Sequence, residues 1–310
     1  MTEDRPLLIM TGIVKEFPGV RALDDACFEL KAGEVHALVG ENGAGKSTLM
    51  NVLNGVVLAD AGTIAINGRT CAISNPRHAQ RLGIAFIHQE PNLIDCLSVS
   101  ENFFLGREPI NEKGLVDWDE MRRQASALLA ELEVGVSPDC ETAHLSAAEK
   151  QMVEIAKALA HEACIIAMDE PTSSLTESET RKLFSLIIRL KAAGKGIIYI
   201  SHRMEEIFEI ADRASVMRSG KYIGTVNTSE SNYDEIVRMM VGQDPASRHS
   251  RVDAPKGPEV LSVKGVSGRG RLRDITLSVQ SGQIVGIAGL MGSGRTELLE
   301  SIYGVHKLAE

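Results

Sequence analysis

The sequence predicts an α/β fold built on a doubly wound sheet, and three observations carry that expectation. Two continuous apolar runs of buried-strand length, Cys164–Met168 and Gly196–Ile200, bracket an amphipathic stretch, Glu177–Ala192. A third run, Glu34–Val39, enters a glycine-rich turn and leads into helix-forming sequence at Lys46–Asn54. Strands and helices alternate through the first half in the rhythm of βαβ units.

Taken in order, Leu7–Ile13 and Ala26–Leu30 read as β-like runs ahead of the strand at Glu34–Val39. Asp117 is placed to cap a helix through Leu132, with Glu120 three residues on completing a capping box. Met121, Ala125, Leu128, Leu129 and Leu132 fall on one face of that helix. Ser146 and Glu149 repeat the signal ahead of Met152, Val153, Ala156 and Leu159. Leu183, Ile187 and Leu190 form the inward stripe of Glu177–Ala192. Val216–Ile223 reads as a hairpin turning at Ser219-Gly220, and a helix from Tyr233 stops at Gly242.

Composition narrows the function. The chain has 310 residues, 44% apolar and 24% charged, which is globular and long enough for about two domains. A net charge of -9 argues against bulk electrostatic binding to nucleic acid or an anionic membrane. No apolar run approaches the ~20 residues of a membrane-spanning helix. The acidic start lacks the apolar core of a secretory signal. Cys27, Cys71, Cys96, Cys140 and Cys164 are scattered, which suggests neither disulfides nor a zinc site and fits a reducing cytosol.

Residues 244–258 contain Pro, Ser, Arg, Asp and Gly with little apolar content and read as a linker. After it the sequence begins again. Glu34–Leu49 aligns with Gln283–Leu298 at an offset of 249 residues, with Gly43/Gly292, Gly45/Gly294 and Gly55/Gly304 in register. The expected organisation is one complete domain at 1–243, the linker, and the opening of a truncated second copy at 259–310.

Gly40-Glu-Asn42-Gly43-Ala44-Gly45-Lys46-Ser47, followed by Thr48, fits the pattern of a phosphate-binding loop between strand and helix. Glycines let successive N–H groups turn toward phosphate oxygens, and the following helix adds its N-terminal dipole. Lys46 reaches the terminal phosphates and the Ser47 hydroxyl ligates Mg²⁺. The strand Cys164–Met168 ends in Asp169-Glu170. Strand alternation puts those two carboxylates on opposite sides, so their roles differ. Asp169 suits the Mg²⁺ shell, and Glu170 suits deprotonating an attacking water. His202, ending the next strand, is placed to touch the γ-phosphate and hold Glu170.

The motifs stand in a telling order: Lys15-Glu-Phe17-Pro-Gly-Val, the Gly40–Ser47 loop, His88-Gln89-Glu90, Leu145-Ser146-Ala147-Ala148-Glu149, Asp169-Glu170-Pro-Thr-Ser-Ser and Ser201-His202. In this the chain resembles the ATP-binding cassette (ABC) ATPases, in particular the duplicated sugar-importer type of the ribose and galactose systems. Met152–Leu159, Ile200–Phe208 and Arg238–Gln243 look like sugar-importer sequence. The resemblance implies a P-loop NTPase with a mixed sheet core, an antiparallel β subdomain and a helical subdomain at about 89–160. It implies ATP and Mg²⁺ as ligands and ATP hydrolysis as the activity. Phe17 would stack on adenine. Gln89 would contact Mg²⁺ and sense the γ-phosphate. Ser146 and Ala148 would face the nucleotide of a second ATPase domain. The implied partners are transmembrane permease subunits and, indirectly, a sugar-binding protein, with no nucleic acid. The implied location is the cytoplasmic face of the membrane, peripherally.

Four positions depart from the family pattern. Ala147-Ala148 replaces Gly-Gly, and a Cβ close to phosphate narrows the site, so turnover is expected to be reduced. Thr176 stands where an Asp is usual. Arg295 stands where Lys46 does in the first loop, a planar fork of different reach, although Thr296 keeps the Mg²⁺ hydroxyl. Arg keeps the charge, and the Gln, signature, carboxylate and His motifs of a second copy are absent from this sequence, so no hydrolysis is expected at Gly289–Thr296. Two other readings stay open at this point: a non-transport ABC protein acting on ribosomes or nucleic acid, and a nucleotide-binding scaffold with little turnover.

Overall fold

The computed structural model describes residues 6–88, 92–159, 163–173, 175–242, 257–268, 272–289 and 293–305. The chain divides into two compact units, Met1–Ala246 and Ser247–Glu310. The expected linker lies outside the described residues up to residue 256.

In chain order, the first unit runs β1 (Pro6–Phe17), β2 (Val20–Lys31), β3 (Val35–Val39), α1 (Lys46–Leu53), β4 (Ala61–Ile66), β5 (Arg69–Cys71), α2 (Pro76–Arg81), β6 (Ile84–Ile87), α3 (Val99–Phe104), α4 (Trp118–Glu131) and α5 (Ala147–Leu159). It continues with β7 (Ile165–Asp169), α6 (Glu177–Ala192), β8 (Gly196–Ile200), α7 (Met204–Ile210), β9 (Arg213–Arg218), β10 (Lys221–Asn227) and α8 (Tyr233–Val241). The second unit holds β11 (Glu259–Val266), β12 (Ile275–Gln280) and α9 (Arg295–Tyr303).

A six-stranded sheet ordered β10-β9-β3-β8-β7-β6 forms the centre of the first unit. All its neighbours are parallel except β10 with β9. Every residue of β3 and β8 is buried, the pattern of strands covered on both faces. Period-2 alternation then splits the core in two. Val35, Ala37 and Val39 face a cluster with helices α3 to α6, whereas Leu38, Ile198 and Ile200 face one with α1, β1, β2 and β4. An antiparallel sheet, β2-β1-β4-β5, lies on that second side. β1 and β2 are longer than their apolar runs because they close through a Phe17–Val20 pair at the Pro18-Gly19 turn.

Sequence signals for helix ends hold in different degrees. Thr176 caps α6 in a full box with Glu179, and Ser146 and Glu149 bond reciprocally at the start of α5. Asp117 caps α4 by accepting the Glu120 N–H at 3.0 Å. The expected box there is only half made, because the Glu120 carboxylate is occupied by Arg123 and Gln124. The Ser219-Gly220 turn takes φ of 51° and 79°, the two left-handed residues that suit a tight hairpin.

Glu154 on α5 is a buried carboxylate, 5% exposed. It accepts the Asn92 N–H at 3.2 Å through Oε1, and its Oε2 has no hydrogen-bond partner among the described residues. Burial pushes its carboxyl from 4.5 up to about 7, against the Asn92 N–H and the Lys157 charge. The folded chain thus holds a proton that the unfolded chain has released, so stability falls as pH rises from 4.5 to about 7. Glu154→Gln removes that loss. It should stabilise the chain by on the order of 3 kcal/mol at pH 8, with the gain vanishing near pH 4. Urea unfolding of both proteins at the two pH values measures this, and equal gains at both would contradict it.

The second unit departs from the repeat. Its α9 starts after Gly294 at φ 92°, as α1 starts after Gly45 at φ 100°. Residues 283–289, expected to repeat the buried β3, instead form no strand, and Ile284 is 97% exposed. A parallel strand needs hydrogen-bonded neighbours, and β11 and β12 pair only with each other among the described residues of this unit.

Candidate active site

Strands β3, β7 and β8 run parallel, and their carboxyl ends open onto one cavity of about 760 Å³. That is where open α/β sheets hold ligands. Phe17, residues 42–48, Asp169, Glu170 and Ile200 line it.

The loop after β3 owes its shape to close packing. Gly45 is left-handed, and a Cβ there would stand 2.8 Å from the Ala22 carbonyl oxygen. The Gly220 N–H donates to the Ala44 carbonyl at 3.0 Å, and the Gly220 carbonyl accepts from the Asp24 N–H at 2.9 Å. The β9–β10 turn is thereby pinned to the loop. The first intrahelical bond of α1 runs from the Leu49 N–H to the Gly45 carbonyl at 2.9 Å. Helix geometry leaves the preceding N–H groups free for an anion. Lys46 Nζ donates to the Gly40 and Glu41 carbonyls at 2.7 and 3.1 Å. Burial lowers the pKa of its ammonium, and the charges of Asp169 and Glu170 pull it back up. The cation and the two carboxylates therefore share one electrostatic site.

Asp169 ends β7, and burial and the charge of Glu170 raise its pKa, with His88 and Lys46 opposing. Glu170 leaves the strand conformation altogether, at φ 47°, while its N–H donates to the Ile200 carbonyl at 2.9 Å. This corrects the alternation argument, since both carboxylates line the same cavity. Alternation holds only within a strand, and Glu170 is past its end. A left-handed non-glycine residue costs ~1–3 kcal/mol and persists where its surroundings over-determine it. His202 Nδ1 lies 3.0 Å from Glu170 Oε1 and is tied to the cavity through that carboxylate.

Other expected site residues lie elsewhere. Gly40 is not part of the cavity wall and meets it through Lys46. Ser146 and Ala148 line a separate cavity of about 300 Å³ with Met152, Leu175 and Lys182. Gln89 lies outside the described residues. Phe17 is 39% exposed at the mouth, with Lys15 Nζ 5.6 Å from its ring centroid. The sequence reading missed Arg21 and Ala22 on the β1–β2 hairpin and the role of Ser219-Gly220. A turn signal marked the latter, but nothing linear tied it to the phosphate loop.

Mg²⁺ fits this donor set. Ser47 and Asp169 face the same cavity, and no cluster of three or more His, Cys, Asp or Glu is placed for a metal among the described residues. A hard ion takes oxygen ligands, and one carboxylate and one hydroxyl leave its other positions to phosphate oxygens and water.

The first unit thus has the α/β P-loop fold of an ABC ATP-binding domain. The ABC transporter family model matches residues 23–173. The ADP conformation of an ATP-binding cassette of an ABC transporter superposes with a TM-score of 0.67 at 26% identity, covering 77% of this chain and 100% of that one. A Rhizobium meliloti protein, provisionally named ribose/galactose/methyl galactoside import ATP-binding protein 2, is 49% identical over 299 residues, covering 96% of this chain and 58% of its own length. The correspondingly named protein 1 of Burkholderia cenocepacia is 47% identical, with 96% and 57% covered. Over residues 23–173 the chain therefore matches the ABC transporter family, and its first unit has the fold of an ATP-binding cassette. It spans somewhat over half the length of these relatives.

Proposed function

We propose that the chain is the ATP-hydrolysing motor of a bacterial-type ABC importer for a monosaccharide. One observation carries the reading: Lys46, Asp169 and Glu170 share a cavity of about 760 Å³, with His202 on the Glu170 carboxylate. The relatives' names supply the sugar. ATP would lie with adenine at Phe17, its phosphates along residues 40–48, and Lys46 on the terminal oxygens. Water attacks the γ-phosphorus in line, the bond to the bridging oxygen breaks, ADP leaves with the electron pair, and Glu170 takes the proton. Ser47 and Asp169 would hold Mg²⁺, which would neutralise charge on the phosphate oxygens, with Gln89 proposed as a further contact.

Around this centre, Ser146 and Ala148 meet the nucleotide of a second ATPase domain, and residues 259–310 open a second copy of the fold. Without the Gln, signature, carboxylate and His motifs of that copy, the loop Gly289–Thr296 does not hydrolyse ATP in this chain. Transmembrane permease subunits and a sugar-binding protein complete the system, which puts the chain on the cytoplasmic membrane face. Among the described residues no helix is long and apolar enough to cross a membrane, which suits a peripheral motor. Nucleic acid is not a partner. Disrupting the encoding gene should lower uptake of labelled ribose or galactose, with recovery on re-expression. Unchanged uptake of every monosaccharide tried would overturn the proposal.

A further inference from the structure

Four residues past His202, on α7, Glu206 is 4% exposed. Its carboxylate is crowded with donors. Tyr199 Oη and Ser201 Oγ donate to Oε2 at 2.8 and 2.9 Å. Thr172 Oγ1 donates at 2.8 and 3.0 Å, and Arg203 Nη1 pairs with Oε1 at 2.7 Å. These donors come from different places. Tyr199 is on β8 and Ser201 directly precedes His202. Thr172 is two residues past Glu170 and itself buried. Ser201 Oγ also accepts the Arg203 N–H at 3.0 Å, closing the knot.

We propose that Glu206 is a positioning residue that holds Glu170 and His202 in register. The proposal rests on the reading of Glu170 as the base. Glu170 sits at φ 47°, a conformation that needs its flanks fixed, and His202 sits in an exposed turn. A single buried charge that accepts from both flanks supplies that restraint. Each hydrogen bond to an ionised acceptor is stronger than a neutral one, so the knot is stiff. Burial, with the charge of Glu206 adding to it, raises the Tyr199 hydroxyl far above its ordinary range, which keeps it a donor.

The test is kinetic. Glu206→Gln keeps the volume but removes the charge. Measured on the full 310-residue chain, kcat per bound nucleotide should fall about tenfold with KM for ATP changed less than about twofold. Thr172→Val, which removes one donor, should lower kcat about threefold. Combining Glu206→Gln with His202→Ala should cost less than the product of the single losses, because residues acting as a unit are non-additive. Unchanged kcat per bound nucleotide in Glu206→Gln, whatever its folding yield, would overturn the positioning role. So would losses that multiply fully with His202→Ala. An unaltered parent that binds ATP without hydrolysing it would overturn the proposed function, and this inference with it.

Discussion

Glu170→Gln is expected to cut steady-state ATP hydrolysis by ~10²–10⁴-fold, the usual contribution of a positioned base, while MgATP still binds. Glutamine has the same shape and can keep its contact with His202, so the cavity stays intact. What it loses is the anionic oxygen basic enough to receive the proton. The same substitution removes a negative charge that raises the Asp169 pKa. It also removes an attraction to the Lys46 ammonium. The two charge effects oppose, so the variant should unfold at a denaturant midpoint close to the parent's. Phosphate release, equilibrium nucleotide binding and urea unfolding read the three quantities. Hydrolysis within tenfold of the parent would remove Glu170 from the base role.

Lys46→Ala should weaken MgATP binding by roughly 10²-fold, since a charge-assisted hydrogen bond contributes ~1.5–3 kcal/mol and the terminal phosphates offer more than one. The ammonium now rests on the Gly40 and Glu41 carbonyls, so it is already folded into the loop before ligand arrives. Lys46→Arg should bind with intermediate affinity, because the charge survives but the planar fork cannot occupy the same pair of carbonyls. Calorimetric titration of the three proteins decides it. If alanine binds as tightly as lysine, the loop is not the phosphate site. The arginine result also bears on Arg295, the counterpart in the second unit.

The phosphate loop was legible because its information is local. Glycines at fixed spacing, a strand before and a helix after are all contained within about 20 residues, and α1 begins at Lys46 as expected. The same holds for α6 and α8, whose capping residues act within one turn. Legibility failed where the deciding partner is distant in sequence. The half-made box at Asp117 depends on which side chain Glu120 meets first. Glu170 was misplaced by a rule about strands because its φ is set by the Ile200 carbonyl, from another strand. The strand expected at 283–289 depends on neighbours that β3 has in β8 and β9.

By itself, then, the order of residues determined the alternation of strands and helices and put forward the glycine-rich loop, the Asp169 and Glu170 carboxylates and the Lys46 cation as candidates. Each follows from steric and hydrogen-bonding preferences within a few residues. The tertiary structure alone decided that Asp169 and Glu170 share one wall, that the Ser219-Gly220 turn braces the loop through Ala44, and that Glu206 ties both flanks of the site. Those facts arise from parallel strands brought side by side, and no local preference encodes which carbonyl or carboxylate will lie across the gap.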